Sequence, residues 1–242
     1  MSAVTYARYD LLRVVRNRRF FIFSIGFPLV LYLVIAGSNK TRTLEGIPFP
    51  VYYLTGMVAW GSMNGVVSGG GIISLERSLG WTRQLRVTPL PAWAYLLSKV
   101  VRGYLMAAVT IVILYAAALS LNVRLTLAGW LLMTGLILVG LLPFAALGIM
   151  LGHLLSPDSL GPALGGLSAL FALLGGAWGP LGQTGVFHDI ARALPSYWLV
   201  QAGAAGLTHT AWSATGWIVI AVWAAGLTRL AMFAYRRDTG RA

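Results

Sequence analysis

Few side chains in this sequence can carry chemistry. There are six carboxylates (Asp10, Glu45, Glu76, Asp158, Asp189, Asp238), three histidines (His153, His188, His209) and two lysines (Lys40, Lys99) beside sixteen arginines; cysteine is absent. Without cysteine, disulfides, thiol catalysis and thiolate metal sites are excluded. No G-x-x-x-x-G-K-[ST] phosphate cradle occurs, and neither lysine follows a glycine. There is no H-E-x-x-H and no convincing catalytic triad. The carboxylates and histidines fall between long apolar runs or at their edges. Ion-driven transporters usually hold carboxylates at mid-membrane to carry the coupling ion. The sequence shows no such group, so any work done here must draw its energy from elsewhere.

The elements that would position these groups follow from composition. Of 242 residues, 58% are hydrophobic and 10% charged, with mean hydropathy +0.77. A soluble domain of this size carries roughly 25% charged residues. The apolar residues form runs near the length, about 20 residues, that a hydrocarbon core demands of a helix. The reading is an all-α polytopic membrane protein forming one transmembrane domain over 1–242. Six transmembrane helices are expected at 20–37, 51–75, 95–121, 127–151, 160–178 and 211–235. Residues 1–19 form an interfacial amphipathic helix, with Val4, Ala7, Leu11, Val14 and Val15 on one face and Tyr9, Arg13 and Arg16 opposite. A cleaved signal peptide with Phe20–Ala36 as its apolar region is the alternative, but the basic region before it is long and patterned. Pro28 and Pro143 are expected to kink their helices. Residues 187–201 are too short and too broken to span.

Charge distribution assigns sidedness. Five arginines precede the first run (Arg8, Arg13, Arg16, Arg18, Arg19). Five basic residues follow the second (Arg77, Arg83, Arg86, Lys99, Arg102), and four sit at the C-terminus (Arg229, Arg236, Arg237, Arg241). The alternate segments hold only Lys40, Arg42, Arg124 and Arg192. The positive-inside rule then puts both termini in the cytoplasm. The net charge of +12 is thereby explained by inner-leaflet lipid, and nucleic acid loses its motive as a partner.

Gly61, Gly65 and Gly69 recur every four residues in the second run, as do Gly148 and Gly152 in the fourth and Gly161 and Gly165 in the fifth. Such spacing lets helix backbones approach closely. It reads either as packing within the chain or as a dimer interface.

The most informative stretch is Glu76–Lys99, E-R-S-L-G-W-T-R-Q-L-R-V-T-P-L-P-A-W-A-Y-L-L-S-K. Glu76–Leu85 can form a short helix with Trp81 and Leu85 on one face and Arg83 and Arg86 on another. Pro89 and Pro91 stop it. A short helix carried between two rigid helices suits docking on a soluble partner, or rest on anionic lipid. This stretch resembles the cytoplasmic signature of ABC type-2 permeases, E-R-x-x-G-x-x-x-x-L-x-x-x-P, at Glu76, Arg77, Gly80, Leu85 and Pro89. Trp81 stands where the family usually has a small residue, often Thr. A second similarity is A-L-P-S-Y-W-L-V-Q, Ala193–Gln201, with its Leu-Pro pair after a Gly-rich fifth run. The order of elements agrees over nearly the whole chain.

The resemblance implies a membrane subunit without catalytic residues, cofactor or metal of its own. ATP and Mg would sit on a partner cytoplasmic ABC ATPase in two copies. Glu76, Arg77, Gly80, Trp81, Arg83, Leu85 and Arg86 would meet that ATPase in a 76–90 coupling helix. A second permease subunit is implied, most simply a second copy of this chain. An apolar path between the two would be lined by the first, second and fifth spans. The implied cargo is hydrophobic or amphipathic, as for drug, antibiotic and lipid exporters, in a bacterial plasma membrane. Pro195, Tyr197 and Trp198, within 187–201, would form an outer gate, although Tyr197 and Trp198 also suit membrane-interface anchors. Two other classes compete. A six-span enzyme or assembly factor would need His188, Asp189 and His209 as a polar cluster. An ion-coupled carrier is opposed by the missing carboxylates.

Overall fold

The computed structural model describes residues 18–44, 46–86, 91–179 and 184–239. The expected interfacial helix over 1–19 lies outside these apart from its last two residues, and Pro89 lies outside them as well. The first helix, α1 (Arg18–Leu31), contains Pro28 and passes into a wide π turn, Tyr32–Ala36. Proline cannot supply the helical N–H, and a local widening of this kind is one way a helix absorbs the loss. A two-residue antiparallel ladder, Thr43–Leu44 with Ile47–Pro48, leads into α2 (Phe49–Ser78). Pro48 at its N-cap and Pro50 in its first turn sit where a missing N–H does no harm.

At 30 residues, α2 is about 45 Å long. It is the hub of the molecule, packed against α4, α6, α9, α7 and α1 as these are defined below, and most of its side chains are buried. After it come α3 (Trp81–Arg86), α4 (Ala92–Ser120), α5 (Leu127–Gly140) and α6 (Leu142–Leu154). The last two make one run, Leu127–Leu154, broken at Leu141 just ahead of Pro143. Then follow α7 (Pro157–Leu174), α8 (Val186–Arg192), α9 (Pro195–Thr208) and α10 (Ala214–Thr239). The start of α7 is written locally: Ser156 Oγ accepts from the Ser159 N–H, Pro157 follows at the first helical position, and Asp158 faces the positive helix end.

Among the described residues, three helices are long and apolar enough to cross a membrane: Trp93–Ser120, Leu127–Leu154 and Ala214–Asp238. The hub α2 does not qualify, for a physical reason. Its interior carries Gly and Ser where other helices press against it, and this dilutes its hydropathy. By contrast α10 carries an apolar window that is only 22% buried inside the protein, as a lipid-facing helix should be.

Glycine sets these contacts. A Cβ on Gly69 would stand 2.6 Å from Gly103 Cα of α4, and one on Gly61 would stand 2.8 Å from Thr110 Cγ2. Gly65 lies against Met106 and Ala107. The Gly61–Gly65–Gly69 stripe therefore abuts α4 of the same chain. On the neighbouring face Gly70 meets Gly148 of α6, and a Cβ on Gly152 would stand 2.6 Å from Gly70 O. Gly161 and Gly165 of α7 face open space.

Candidate functional site

The chain leaves α2 at Ser78 and turns at Leu79–Gly80 before α3 begins. Gly80 has φ +72°, a left-handed conformation that a side chain would strain. Its N–H closes the turn on Arg77 O at 3.0 Å. The connector is therefore not one short helix over Glu76–Leu85. Glu76 and Arg77 belong to the last turns of α2, and the separate helix starts at Trp81. A turn is forced because continuing the 45 Å rod would carry the chain away from the bundle.

At this base the glutamate is buried and paired. Glu76 Oε1 accepts from Lys99 Nζ at 2.7 Å, and Oε2 accepts from the Tyr95 hydroxyl at 2.6 Å. The Lys99 side chain is 0% exposed and that of Glu76 6%. The Lys99 ammonium also sits 5.0 Å from the Tyr95 ring centre. Charges so placed persist only when paired and hydrogen-bonded, as both are here. Ile73 and Tyr95 are buried beside them, with Trp81, Leu96 and Ile149 packed on. Trp81 thereby anchors the start of α3 to the ends of α2 and α4.

A second cluster joins three helix ends. Arg77 Nη2 pairs with Asp238 Oδ1 at 2.8 Å, and His153 Nδ1 donates to Asp238 Oδ2 at 3.0 Å. Arg77 Nη1 also donates to Gly152 O at 3.2 Å, and the His153 ring meets Tyr235 edge to face at 5.4 Å. Beside it Ser74 Oγ donates to Leu155 O at 2.7 Å. The ends of α2, α6 and α10 are thus tied together.

Of the seven residues expected to face a partner, three turn toward the bundle instead. Glu76 is bound to Lys99, Arg77 to Asp238, and Trp81 packs on the cluster of Ile73 and Tyr95. Packing explains the difference: where the bundle excludes water at the root of the connector, a carboxylate must be met by the lysine and hydroxyl beside it, and an indole is covered by apolar neighbours. Gly80 supplies the turn. The side chains of Arg83, Leu85 and Arg86 lie outside the described residues. Sequence reading missed Lys99, Tyr95, His153 and Asp238. The available signal was that Lys99 lies within an apolar run, where a charge needs a partner.

At the opposite end, α9 runs antiparallel to α5. Leu199 lies against Gly140, and Gly206 against Gly129. The 187–201 segment thus falls into two helices, α8 largely exposed and α9 buried from Pro195 onward. Pro195 opens α9 and is buried; Trp198 is 6% exposed. Its indole N–H donates to Arg192 O at 3.0 Å, and Trp223 Nε1 donates to Ala193 O at 2.8 Å. Tyr197 contacts both Trp198 and His188 edge to face. His209 is apart from that pair, 3.3 Å from Thr126 Oγ1. Among the described residues no group of three His, Cys, Asp or Glu could hold a metal. Between α2, α6 and α7 lies a cavity of about 210 Å³, walled by Met63, Phe144, Leu164 and Phe171, with Asn64 and Ser168 as polar points.

Helices long and apolar enough to cross a bilayer, grouped around a buried glycine-rich hub with a clamped polar connector, define a protein of membrane type. A family model described as ABC-2 type transporter matches residues 3–208, and the chain belongs to that family. It is similar to "Putative transport permease YvfS" of Bacillus subtilis (strain 168), at 30% identity over 193 residues, which are 78% of this chain and 78% of that protein. The chain is therefore an ABC-2 permease, a transport subunit of the membrane, and the family implies an ABC ATPase as its partner.

Proposed function

We propose that this permease is the membrane half of an ATP-driven exporter in a bacterial plasma membrane. It crosses the bilayer six times with both ends in the cytoplasm and moves a hydrophobic or amphipathic cargo, of the drug, antibiotic or lipid kind. The observation that carries this reading is α3: a short arginine-bearing helix set off from the buried hub by the Gly80 turn and clamped at its root. A rigid root is what a lever needs to pass force into the bundle. Arg83, Leu85 and Arg86 are the residues left to meet an ATPase. Two copies of the permease and two of the ATPase complete the transporter, because six spans make half a pathway. ATP binding draws the α3 helices together, and the spans follow as rigid bodies between discrete arrangements. The apolar cavity beside Asn64 and Ser168 supports an uncharged or amphipathic cargo. Trp198 and Tyr197 act at the outer end of the path.

Co-expression with a candidate ABC ATPase tests this. Arg83→Glu with Arg86→Glu is expected to lower permease-stimulated ATP hydrolysis at least tenfold while membrane insertion is unchanged. Stimulation that survives the double reversal refutes the docking role of α3.

A further inference from the structure

The C-terminal segment after the last apolar run is basic, with Arg236 and Arg237, yet it carries one acid, Asp238. That acid does not face its own arginines outward. Both its oxygens are engaged, one by Arg77 of α2 at 2.8 Å and one by His153 of α6 at 3.0 Å. Arg77 is the residue three positions before the Gly80 turn, so the connector's root and the end of α10 share an ion pair. Among the described residues, α10 packs along α6 and has no extended packing against α2. With 22% of its apolar window buried, α10 packs chiefly on α6 and less on α9. Asp238 joins it to the hub by an ion pair.

We infer that Asp238, gripped by Arg77 and His153, is a positioning residue that makes α10 move with the connector. This rests on the proposed coupling to an ATPase. Displacement of α3 reaches α2 through the Gly80 turn and Trp81. The Arg77–Asp238 pair passes it to α10, while His153 and the Arg77 bond to Gly152 O keep α6 in the same unit. Glu76–Lys99 ties the other side of the root to α4, so the connector's root drives α2, α4, α6 and α10 together, while α7, which among the described residues has no ion pair to that root, is joined to α2 by Trp60 Nε1 donating to Ser168 Oγ at 2.8 Å and by side-chain packing.

The cysteine-free chain permits spin labelling in the reconstituted permease–ATPase complex. Label pairs are placed at Gln84 with Met232, on α3 and α10, and at Gln84 with Leu170, on α3 and α7. All three positions are exposed. Distances are read without nucleotide and with ATP trapped by vanadate. In the wild type the Gln84–Leu170 distance is expected to change and the Gln84–Met232 distance to stay constant. In Asp238→Asn the Gln84–Met232 distance is expected to shift between states by about 2–5 Å, the size of helix displacements in such transitions. The swap Arg77→Asp with Asp238→Arg is expected to restore constancy, which a residue serving stability alone would not do. A constant Gln84–Met232 distance in Asp238→Asn, or a changing one in the wild type, overturns the inference and leaves the transporter reading intact. No movement of either pair with nucleotide overturns the ATP-driven reading and this inference with it.

Discussion

At the connector end of the bundle, charge meets charge. Glu76 pairs with Lys99, and Arg77 and His153 pair with Asp238. At the opposite end, neutral donors cap bare carbonyls. Trp198 donates to Arg192 O, Trp223 to Ala193 O, Tyr52 to Gly176 O and Tyr32 to Pro50 O. Both ends have the same task, to satisfy polar groups where helices stop. The difference lies in what has stopped. At the connector end α2, α4, α6 and α10 end or begin near one level, close to where water begins, and full charges can pair there. At the other end α8 and α9 break beside α5, with Arg192 and Ala193 at the break exposed and α9 buried from Pro195 onward. The carbonyls left open there still need partners, and an indole N–H supplies one without bringing a charge.

The comparison is broken most directly by removing one member of the buried pair. Lys99→Met leaves Glu76 charged and uncompensated, which costs about 3–5 kcal/mol. Thermal unfolding in detergent should show this as a large fall in Tm, and Glu76→Gln added to Lys99→Met should recover most of it. If the single variant is as stable as the wild type, charge pairing does not hold the connector end. A smaller effect is expected at the other end. Trp223→Phe keeps the ring but withdraws the N–H from Ala193 O, at about 1–3 kcal/mol for a carbonyl left bare. Trp223→Leu should lose no more than Phe plus its packing, so a Phe variant equal to wild type removes the capping role. The smallest effect sharpens the picture of the turn. Gly80→Ala meets no atom within 4 Å but must adopt φ +72°, at about 1 kcal/mol. Its stability loss should therefore be slight, and any larger loss of ATPase stimulation would report on the angle at which α3 is presented.

Much of this could be read along the chain. The runs at 95–121, 127–151 and 211–235 match Trp93–Ser120, Leu127–Leu154 and Ala214–Asp238 to within a few residues, because hydropathy is a local sum. Gly80 was read inside one helix over Glu76–Leu85 and its turn was not foreseen, whereas the broken character of 187–201 was legible from its Gly and Pro neighbours. Less legible was the hub. α2 reads as the least apolar of the long helices because its glycines are spent on contacts with α4 and α6, and the sequence does not say which helix presses on which. The partner of Glu76 was not legible for a similar reason: a charged residue in a polar stretch shows no partner until the lysine of the next helix is placed beside it.

Composition and periodicity alone determined that this is a helical chain of membrane type without cysteine, and where its long apolar helices begin and end. These follow from the transfer of each residue between water and hydrocarbon, which needs no knowledge of neighbours. Only the tertiary structure decided that Glu76 belongs to Lys99, that Arg77 belongs to Asp238, and that two tryptophans close the break between α8 and α9. Hydrogen bonds and ion pairs act over a few ångströms in space, and these partners lie on different helices.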